Sequence, residues 1–596
     1  MTEEGLFVTV TSTPRKVDMR VKTIATHLAL LASALMLFHG QDVLGQNISN
    51  ITVSLQPVGP TTETNDLLKA ILLASPSFQT NPGPNAILVN FQLLDDSGAV
   101  QIRPDTGLGL VNPGRKMSRY TGKVTFFRAT IYDWDNRRTL IAEGPLSKLT
   151  RPPLAAVASG PEANQAEFDM AVNLLSTDPD WGPRIQSGEL TPHTTVPPVF
   201  GDEQADGSVD CFVAVELQPT SLAATQYVVG VSLAGLGTRL FQERAPITFT
   251  PTNGQCGFPD CKSNITATAR GSSGQARLTI FQGTNVLWTM VVIRPSASSG
   301  TKGSGIELRD VKFKGKLVLY QAHVPILNVK YDGDKDGCGP YRDWQWEEGK
   351  FQAVGADPVP GFRVCPAPAT TIFDTGNDCG NFNGVAIYVS GSEVVLVTEL
   401  DAGWYRYISQ WRFDANGTIR PRFGFTAVKY RCVCNIHHHH VYWRLDFDIE
   451  GAANDYVQEY NNPPIIGIAN WTDTLSEIKR LRDSTHNRKW RVLDRFTGRG
   501  YEIIPGSTDG SAFTSTDWDF GQGDFWVLRY HPGEIDDGET QTVVPDARAR
   551  AHIDNFNNGE SVLNKDVVLW YSGTFSHDFS LETSHIVGPD LVPINW

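Results

Sequence analysis

The sequence lacks an excess of basic residues. It carries 51 lysine and arginine residues against 65 aspartate and glutamate residues, giving a formal net charge of −14. No basic stripe offsets the repulsion that this charge creates toward phosphates, so the composition argues against a nucleic-acid partner. The same charge is compatible with a cationic small substrate.

The chain also lacks a long apolar run. The segment Ile24–Phe38 is shorter than the ~20 residues that span a bilayer, and no second candidate follows it. It comes after Arg20 and Lys22 and precedes small residues that suit cleavage before Gln46. We therefore expect a secretory signal region over residues 1–45 and an extracellular protein. The alternative is an uncleaved N-terminal segment that anchors the chain in a membrane.

Helical periodicity is scarce, whereas short alternating apolar runs between turn signals are frequent. This pattern predicts a mainly β fold. The 596 residues exceed what one core supports and favour three or four domains. We expect small α/β domains over 46–155 and 156–270, followed by a strand-rich domain over 271–596.

Cysteine is sparse, with eight residues in the chain. In an oxidising compartment an even number suggests disulfides, although sequence alone cannot assign the pairs. The simplest expectation is bonding within close pairs such as Cys256 with Cys261 or Cys365 with Cys379. For Cys432 and Cys434, the alternative to disulfide bonding is that their thiolates bind a metal ion.

Five glycosylation sequons are consistent with a secreted glycoprotein: Asn47, Asn50, Asn264, Asn416 and Asn470.

Against this background, four consecutive histidines stand inside a strand-like segment, at His437–His440. Side chains two apart in a strand share a face, with their Cα atoms about 6.6 Å apart. Either His437 with His439 or His438 with His440 can therefore converge on one metal ion. Imidazole suits copper, zinc, iron and nickel, so ligand type leaves the metal open. A solvated polar strand is the alternative interpretation.

An aromatic hairpin precedes the histidines. Alternation places Tyr405, Tyr407, Trp411 and Phe413 on one face of a strand, and Asn416-Gly417 supplies a tight turn. Taken by itself, this segment predicts an aromatic core face of a β-sandwich.

Together these motifs resemble those of the copper amine oxidases, a family whose quinone cofactor is made from one of its own tyrosines. The family carries a Thr-x-x-Asn-Tyr-(Asp/Glu)-Tyr motif, a Trp-x-Phe and an Asn-Gly-Thr-Ile turn. Here Gly403-Trp404-Tyr405-Arg406-Tyr407 precedes Trp411, Phe413 and the turn at 416–419. A His-x-His strand leading into Arg-Leu-Asp-x-Asp follows, as in the family. The resemblance covers about residues 276–596 and implies a large C-terminal β-sandwich catalytic domain.

The resemblance also implies which residues form the site. It makes Tyr405 the precursor of topaquinone and Tyr331 the tyrosine that hydrogen-bonds it. His437 and His439 become copper ligands, and His577, which ends a segment resembling the family's Asp-x-Val-x-Trp, becomes the third. A peripheral calcium-type site is implied at three carboxylates, for which solvated turn chemistry is the alternative: Asp446, Asp448 and Asp566.

Three positions depart from the family pattern. Trp404 and Arg406 stand where the family has Asn and Asp or Glu, which changes size and charge beside the precursor. The segment 346–351 best matches the family's catalytic-base motif and places Glu347 at the base position. Asp343 and Asp334 are alternatives, as is an ordinary exposed acidic loop.

The function implied by the resemblance is that of a secreted copper/topaquinone oxidase. It would convert a small primary amine and O₂ to an aldehyde, with release of H₂O₂ and NH₃, and act as a homodimer. The departures support an alternative in which a non-catalytic secreted glycoprotein retains the fold as a binding or structural module.

Overall fold

The computed structural model describes residues 50–58, 62–84, 86–95, 124–133, 135–136, 138–157, 165–203, 209–219, 224–233, 235, 237–244, 257–259, 261, 274–300, 302–331, 341–510, 520–531, 533–537, 553–577 and 585–596. All of them belong to one compact unit over 43–596. The predicted signal region and the base candidate Asp334 lie outside the described residues. Among the described helices, none combines the length and apolarity needed to cross a membrane.

The predicted mainly β fold is confirmed, and its largest part consists of two sheets. The first sheet has the strand order Ile51–Pro57, Gln275–Gln282, Asn285–Ile293, Glu307–Phe313, Lys316–Tyr331, His437–Phe447, Val567–His577, Phe525–Arg529 and Ile478–Arg480, with Tyr341–Arg342 pairing with Lys316–Tyr331. The second has the order Ala356–Val359, Phe362–Val364, Val385–Ser390, Glu393–Ala402, Tyr405–Asp414, Ile419–Ala427, Asp590–Ile594, Gly500–Ile504, Lys489–Asp494, Asp455–Tyr460 and Trp471–Thr474, with His585–Val587 pairing with Ile419–Ala427.

Aromatic side chains pack the two large sheets against each other. Trp288 of the first sheet is fully buried, and its ring centroid lies 4.6 Å from that of Phe313 and 5.1 Å from that of Phe413 in the second sheet. The Trp288 indole donates to the carbonyl oxygen of Asp414 at 3.0 Å. At the neighbouring turn, Gly417 has a φ of 99°, and a Cβ there would lie 2.6 Å from the Phe313 ring. The predicted hairpin face is thus an aromatic inter-sheet core.

The strand His437–Phe447 lies in the middle of the first sheet. It pairs antiparallel with Lys316–Tyr331 on one side and with Val567–His577 on the other. All eleven of its residues are buried, so both faces of the strand are covered. A solvated polar strand, the alternative interpretation of the four histidines, is therefore wrong.

Two smaller sheets precede the sandwich. The first contains strands Ala86–Asp95, Val124–Asp133, Arg138–Pro145 and Leu154–Val157, with helices Thr62–Leu73 and Pro76–Thr80. The second contains Leu190–Glu203, Val209–Pro219, Gln226–Val231 and Thr238–Arg244, with helices Gln165–Thr177 and Gly182–Gln186. Each sheet shares an apolar core with its helices: Leu72 and Phe127 belong to one core, and Leu175 and Val215 belong to the other. The strand Ile51–Pro57, although it precedes both, pairs with Gln275–Gln282 at the edge of the large sheet.

The remaining short elements are the helix Ile372–Thr375 and the 3₁₀ turns Leu146–Lys148, Pro295–Ala297, Arg431–Cys434 and Ile553–Phe556.

The disulfides differ from the pairs expected from proximity in sequence. Cys261 is bonded to Cys379, 118 residues away, and Cys365 is a buried free thiol. The pairings Cys256–Cys261 and Cys365–Cys379 are therefore wrong. The physical reason lies in the tertiary structure. The backbone N–H of Phe258 donates to the carbonyl oxygen of Ala427, and the backbone N–H of Asp378 donates to the carbonyl oxygen of Pro259. The second bond brings the segment of Cys261 next to that of Cys379. Cys432 is also disulfide-bonded, which removes it as a thiolate ligand.

We expect Trp288→Ala to destabilise the sandwich by about 3–5 kcal/mol, because it leaves a large cavity and removes the bond to Asp414. The measurement is the urea midpoint of the full chain followed by aromatic fluorescence and circular dichroism. Val354→Ala is the matched control, since Val354 is 74% exposed. Equal midpoints for the two variants would contradict the assigned role of Trp288.

Candidate metal centre

Three histidine rings converge inside the sandwich. His437 and His439 share a face of their strand, and their ring centroids lie 4.9 Å apart. His577 is directly opposite His437 in the adjacent strand, with ring centroids again 4.9 Å apart. The three residues are 0%, 1% and 3% exposed, so the cluster is shielded from water.

The other two histidines of the run point to the opposite face. His438 shares a hydrogen bond with the Ser576 hydroxyl at 2.7 Å, and the His440 ring lies 5.0 Å from that of Phe520. Strand alternation thus separates the four imidazoles into two pairs. Only the pair His437 and His439 faces the second sheet and its tyrosines.

Two ring nitrogens of this cluster are available to a metal of the imidazole-binding class. His437 Nδ1 lies 2.7 Å from the carbonyl oxygen of Asn435, which can only accept, so Nδ1 carries the proton and Nε2 keeps its lone pair. His437 Nε2 and His439 Nδ1 are buried without a hydrogen-bond partner among the described residues. Burial, together with the neighbouring imidazoles, lowers the pKa of His437 to about 3 and that of His439 well below its ordinary value. Both rings are therefore neutral, the form that binds metals.

Tyr405 lies against this cluster from the second sheet. It is 1% exposed, and its ring centroid is 4.8 Å from that of His439 and 5.8 Å from that of His437. The Tyr331 hydroxyl forms a short hydrogen bond with that of Tyr405, and the Tyr331 ring centroid lies 5.1 Å from that of His437. The structure thus brings together the proposed precursor, its hydrogen-bond partner and the three histidines.

Arg406 does not face the Tyr405 ring. Strand alternation turns its side chain away, where it donates to Asp401 at 2.6 Å and pairs with Asp378 at 3.1 Å. It also donates to the backbone carbonyl of Tyr405 at 3.0 Å. The charge that departs from the family pattern is therefore neutralised by carboxylates behind the strand.

Asp343 connects to the tyrosines more directly than sequence matching indicated. It is buried and accepts a hydrogen bond from the Tyr407 hydroxyl, while the Tyr407 ring stacks on that of Tyr405 at 5.2 Å. Burial raises the pKa of Asp343 to about 7, although the Tyr407 bond and the charges of Lys302 and Arg342 oppose this. Glu347 is only half-buried and accepts a hydrogen bond from the Trp344 indole at 3.0 Å.

The three carboxylates of the peripheral site also meet. Asp446, Asp448 and Asp566 each offer an oxygen within 4.8 Å of the other two. Asp455 is close by, and burial followed by the charge of Asp448 raises its pKa to about 9. Hard oxygen ligands at this spacing suit a cation such as calcium. Asp455 adds a carboxyl that the motif comparison did not identify.

Three residues near the site are not identified by the sequence motifs: Tyr407, Tyr430 and Glu216. Strand alternation predicts the face on which Tyr407 lies, but it predicts only a core role for this residue. Tyr430 stacks on Trp404, and its hydroxyl donates to Glu216 of a small sheet. No signal within the sequence joins positions 216 and 430.

Comparison with known proteins defines the class. Residues 420–595 match a family model described as copper amine oxidase, enzyme domain. This span includes the histidines and the acidic cluster, and it begins after Tyr405. Over most of its length the chain has the fold of a benzylamine oxidase from Hansenula polymorpha, at 12% identity and a TM-score of 0.51, covering 91% of this chain and 98% of that one. A Pichia pastoris lysyl oxidase gives 11% identity and a TM-score of 0.52, with 89% and 88% covered.

Curated relatives agree with this class. Copper amine oxidase 1 of Aspergillus niger is 23% identical over 345 residues, covering 47% of this chain and 51% of that protein. The copper-containing amine oxidase gamma 2 of Arabidopsis thaliana is 23% identical over 270 residues, covering 36% and 39%. The matches thus span about half the length of these relatives or less.

The fold and site define a β-sandwich protein with a buried three-histidine centre beside a tyrosine. Residues 420–595 are a divergent match to the copper amine oxidase enzyme domain, and the predicted C-terminal β-sandwich is confirmed.

We expect His439→Ala to lose most copper binding, because it removes one of three converging imidazoles. His438→Ala is the matched control on the opposite face of the same strand and should retain copper. Metal content after copper loading and dialysis, with circular dichroism to verify folding, measures both. Equal copper loss in two folded variants would contradict the assignment of the ligand face.

Proposed function

We propose that this chain is a secreted copper-dependent amine oxidase that acts on a small primary amine and functions as a homodimer. The observation that carries the proposal is the position of Tyr405, whose ring lies 4.8 Å from His439 and whose hydroxyl bonds to Tyr331. His437, His439 and His577 would hold the copper ion. A bound copper ion with a quinone formed from Tyr405 would supply the redox chemistry that converts amine, O₂ and water to aldehyde, NH₃ and H₂O₂.

The residues around Tyr405 hold it in one orientation and exclude water. Tyr331 bonds its oxygen, Tyr407 stacks on its ring, and His439 packs edge-on against it. Because these neighbours are buried, the electrostatic interactions of groups inside the site are strong. Such a fixed and shielded environment is what a protein contributes to chemistry done by a cofactor.

Asp343 is the general base in this proposal. Removal of a proton from the carbon next to the amine nitrogen needs an acceptor, and a carboxyl with a pKa of about 7 can both take and release that proton near neutral pH. Tyr407 holds the Asp343 carboxylate through Oδ2. Glu347, the residue favoured by the sequence match, is the competing candidate.

A specific observation favours a second function, that of a non-catalytic binding or structural module. Trp404 replaces a small polar family residue, and its indole occupies space beside Tyr331. Such a bulky neighbour would restrict movement of the Tyr405 ring if that ring had to reorient during modification.

The two functions differ in whether Tyr405 is modified. For the oxidase, we expect copper-loaded protein in air to develop quinone absorbance, to form a phenylhydrazine adduct and to show a modified Tyr405 peptide by mass spectrometry. Tyr405→Phe is the control and should give none of these signals while retaining copper. Unmodified Tyr405 after aerobic copper incubation would overturn the oxidase proposal and support the module.

Replacement of the base provides a separate test. We expect Asp343→Asn to reduce kcat/KM for a primary amine by about 10²–10⁴-fold, because the amide cannot accept the proton. In the copper-loaded protein without substitutions, kcat/KM should rise with pH through about 7, since the base works only when deprotonated. Asp357→Asn at a surface ion pair is the matched control. If Glu347→Gln instead abolishes turnover and Asp343→Asn does not, Glu347 is the base.

A further inference from the structure

Trp404 takes part in a chain of contacts that ends on the Tyr405 oxygen. Its indole Nε1 donates to the Tyr331 hydroxyl at 2.9 Å, and that hydroxyl bonds to Tyr405. All three side chains are buried, at 4% exposure or less. The residue that departs most in size from the family pattern is therefore in contact with the site.

The chemistry of these groups gives the chain a direction. An indole N–H can only donate, whereas a phenol hydroxyl both accepts and donates. A hydroxyl that accepts one hydrogen bond becomes polarised and donates its own proton more strongly, and low local dielectric increases the effect. Donation from Trp404 thus favours the arrangement in which Tyr331 donates to the oxygen of Tyr405.

We propose that Trp404 is a positioning residue that acts through Tyr331 and strengthens the hydrogen bond that Tyr331 donates to the oxygen of residue 405. Negative charge on that oxygen is stabilised by such a donor. The hydrogen-bond chain does not depend on amine oxidation, and only its catalytic consequence rests on the proposed function.

A small preceding sheet holds Trp404 in place. Tyr430 stacks on the Trp404 ring with centroids 4.0 Å apart and planes 6° apart. The Tyr430 hydroxyl donates to both carboxylate oxygens of Glu216, at 2.9 and 2.7 Å. Glu216 is fully buried on the strand Val209–Pro219. The unit over 165–244 therefore contributes a buried contact to the support of the site.

If Trp404 had a purely structural role, the expected result of replacing it would differ from that of a positioning role. Trp411 lies on the strand Tyr405–Asp414, which directly follows Trp404. It is also buried, and it donates its indole N–H to the Ile306 carbonyl at 3.1 Å. If Trp404 only filled space, replacing either tryptophan by phenylalanine would affect folding stability without a specific effect that depends on Tyr331.

The test is a double-mutant cycle on the full chain without copper, with 3-fluorotyrosine incorporated at position 405. Trp404→Phe keeps an aromatic ring against Tyr430 and removes the N–H. We expect it to displace the ¹⁹F resonance of residue 405 in the parent protein and to displace it less in a Tyr331→Phe background. A change in ring shielding alone would be the same in both backgrounds. Trp411→Phe is the matched control, for which we expect no difference between backgrounds.

Equal ¹⁹F displacements by Trp404→Phe in the two backgrounds would overturn the proposal. A second measurement uses copper: in folded protein, Trp404→Phe should slow quinone formation by about fivefold, the rate equivalent of one neutral hydrogen bond. An unchanged rate would also count against the proposal. If the parent protein forms no quinone, the proposed oxidase function fails, while the ¹⁹F cycle still decides the role of Trp404.

Discussion

The face-to-face packing of the two large sheets is the constraint on which the rest of the structure depends. The histidines belong to one sheet and Tyr405 to the other, so the site exists only while the sheets stay in register. Trp288 fixes that register by packing on Phe413 and bonding to Asp414. A fully buried aromatic core with a directional hydrogen bond permits little sliding, because interiors are close-packed.

Within that constraint, the alternation of side chains along two strands decides which residues face the site. In the strand His437–Phe447, alternate residues send one imidazole pair to the tyrosines and the other to the opposite face. In the strand that begins at Tyr405, alternation keeps the aromatic rings inside and sends Arg406 to carboxylates behind the sheet. The divergent charge is thereby separated from the Tyr405 ring. The larger side chain of Trp404 is accommodated next to Tyr331. There the indole donates a hydrogen bond and stacks on another aromatic ring.

The site also shows how burial sets the charge state of its groups. His437 and His439 are neutral because burial and neighbouring imidazoles disfavour protonation. The same desolvation raises the pKa of the Asp343 carboxyl to about 7. One physical cause thus keeps two imidazoles unprotonated and allows a carboxyl to exchange its proton near neutral pH.

The sequence by itself determined the mainly β fold, the strand of histidines and the aromatic face of the hairpin, because period-two alternation is a local property. It also carried the motifs that relate Tyr405 to the histidines. Only the tertiary structure decided that Asp343 contacts the tyrosines through Tyr407, that Cys261 pairs with Cys379, and that Glu216 supports Trp404 through Tyr430. These contacts join positions up to 214 residues apart, and no local pattern encodes which distant strands the packing of sheets will bring together.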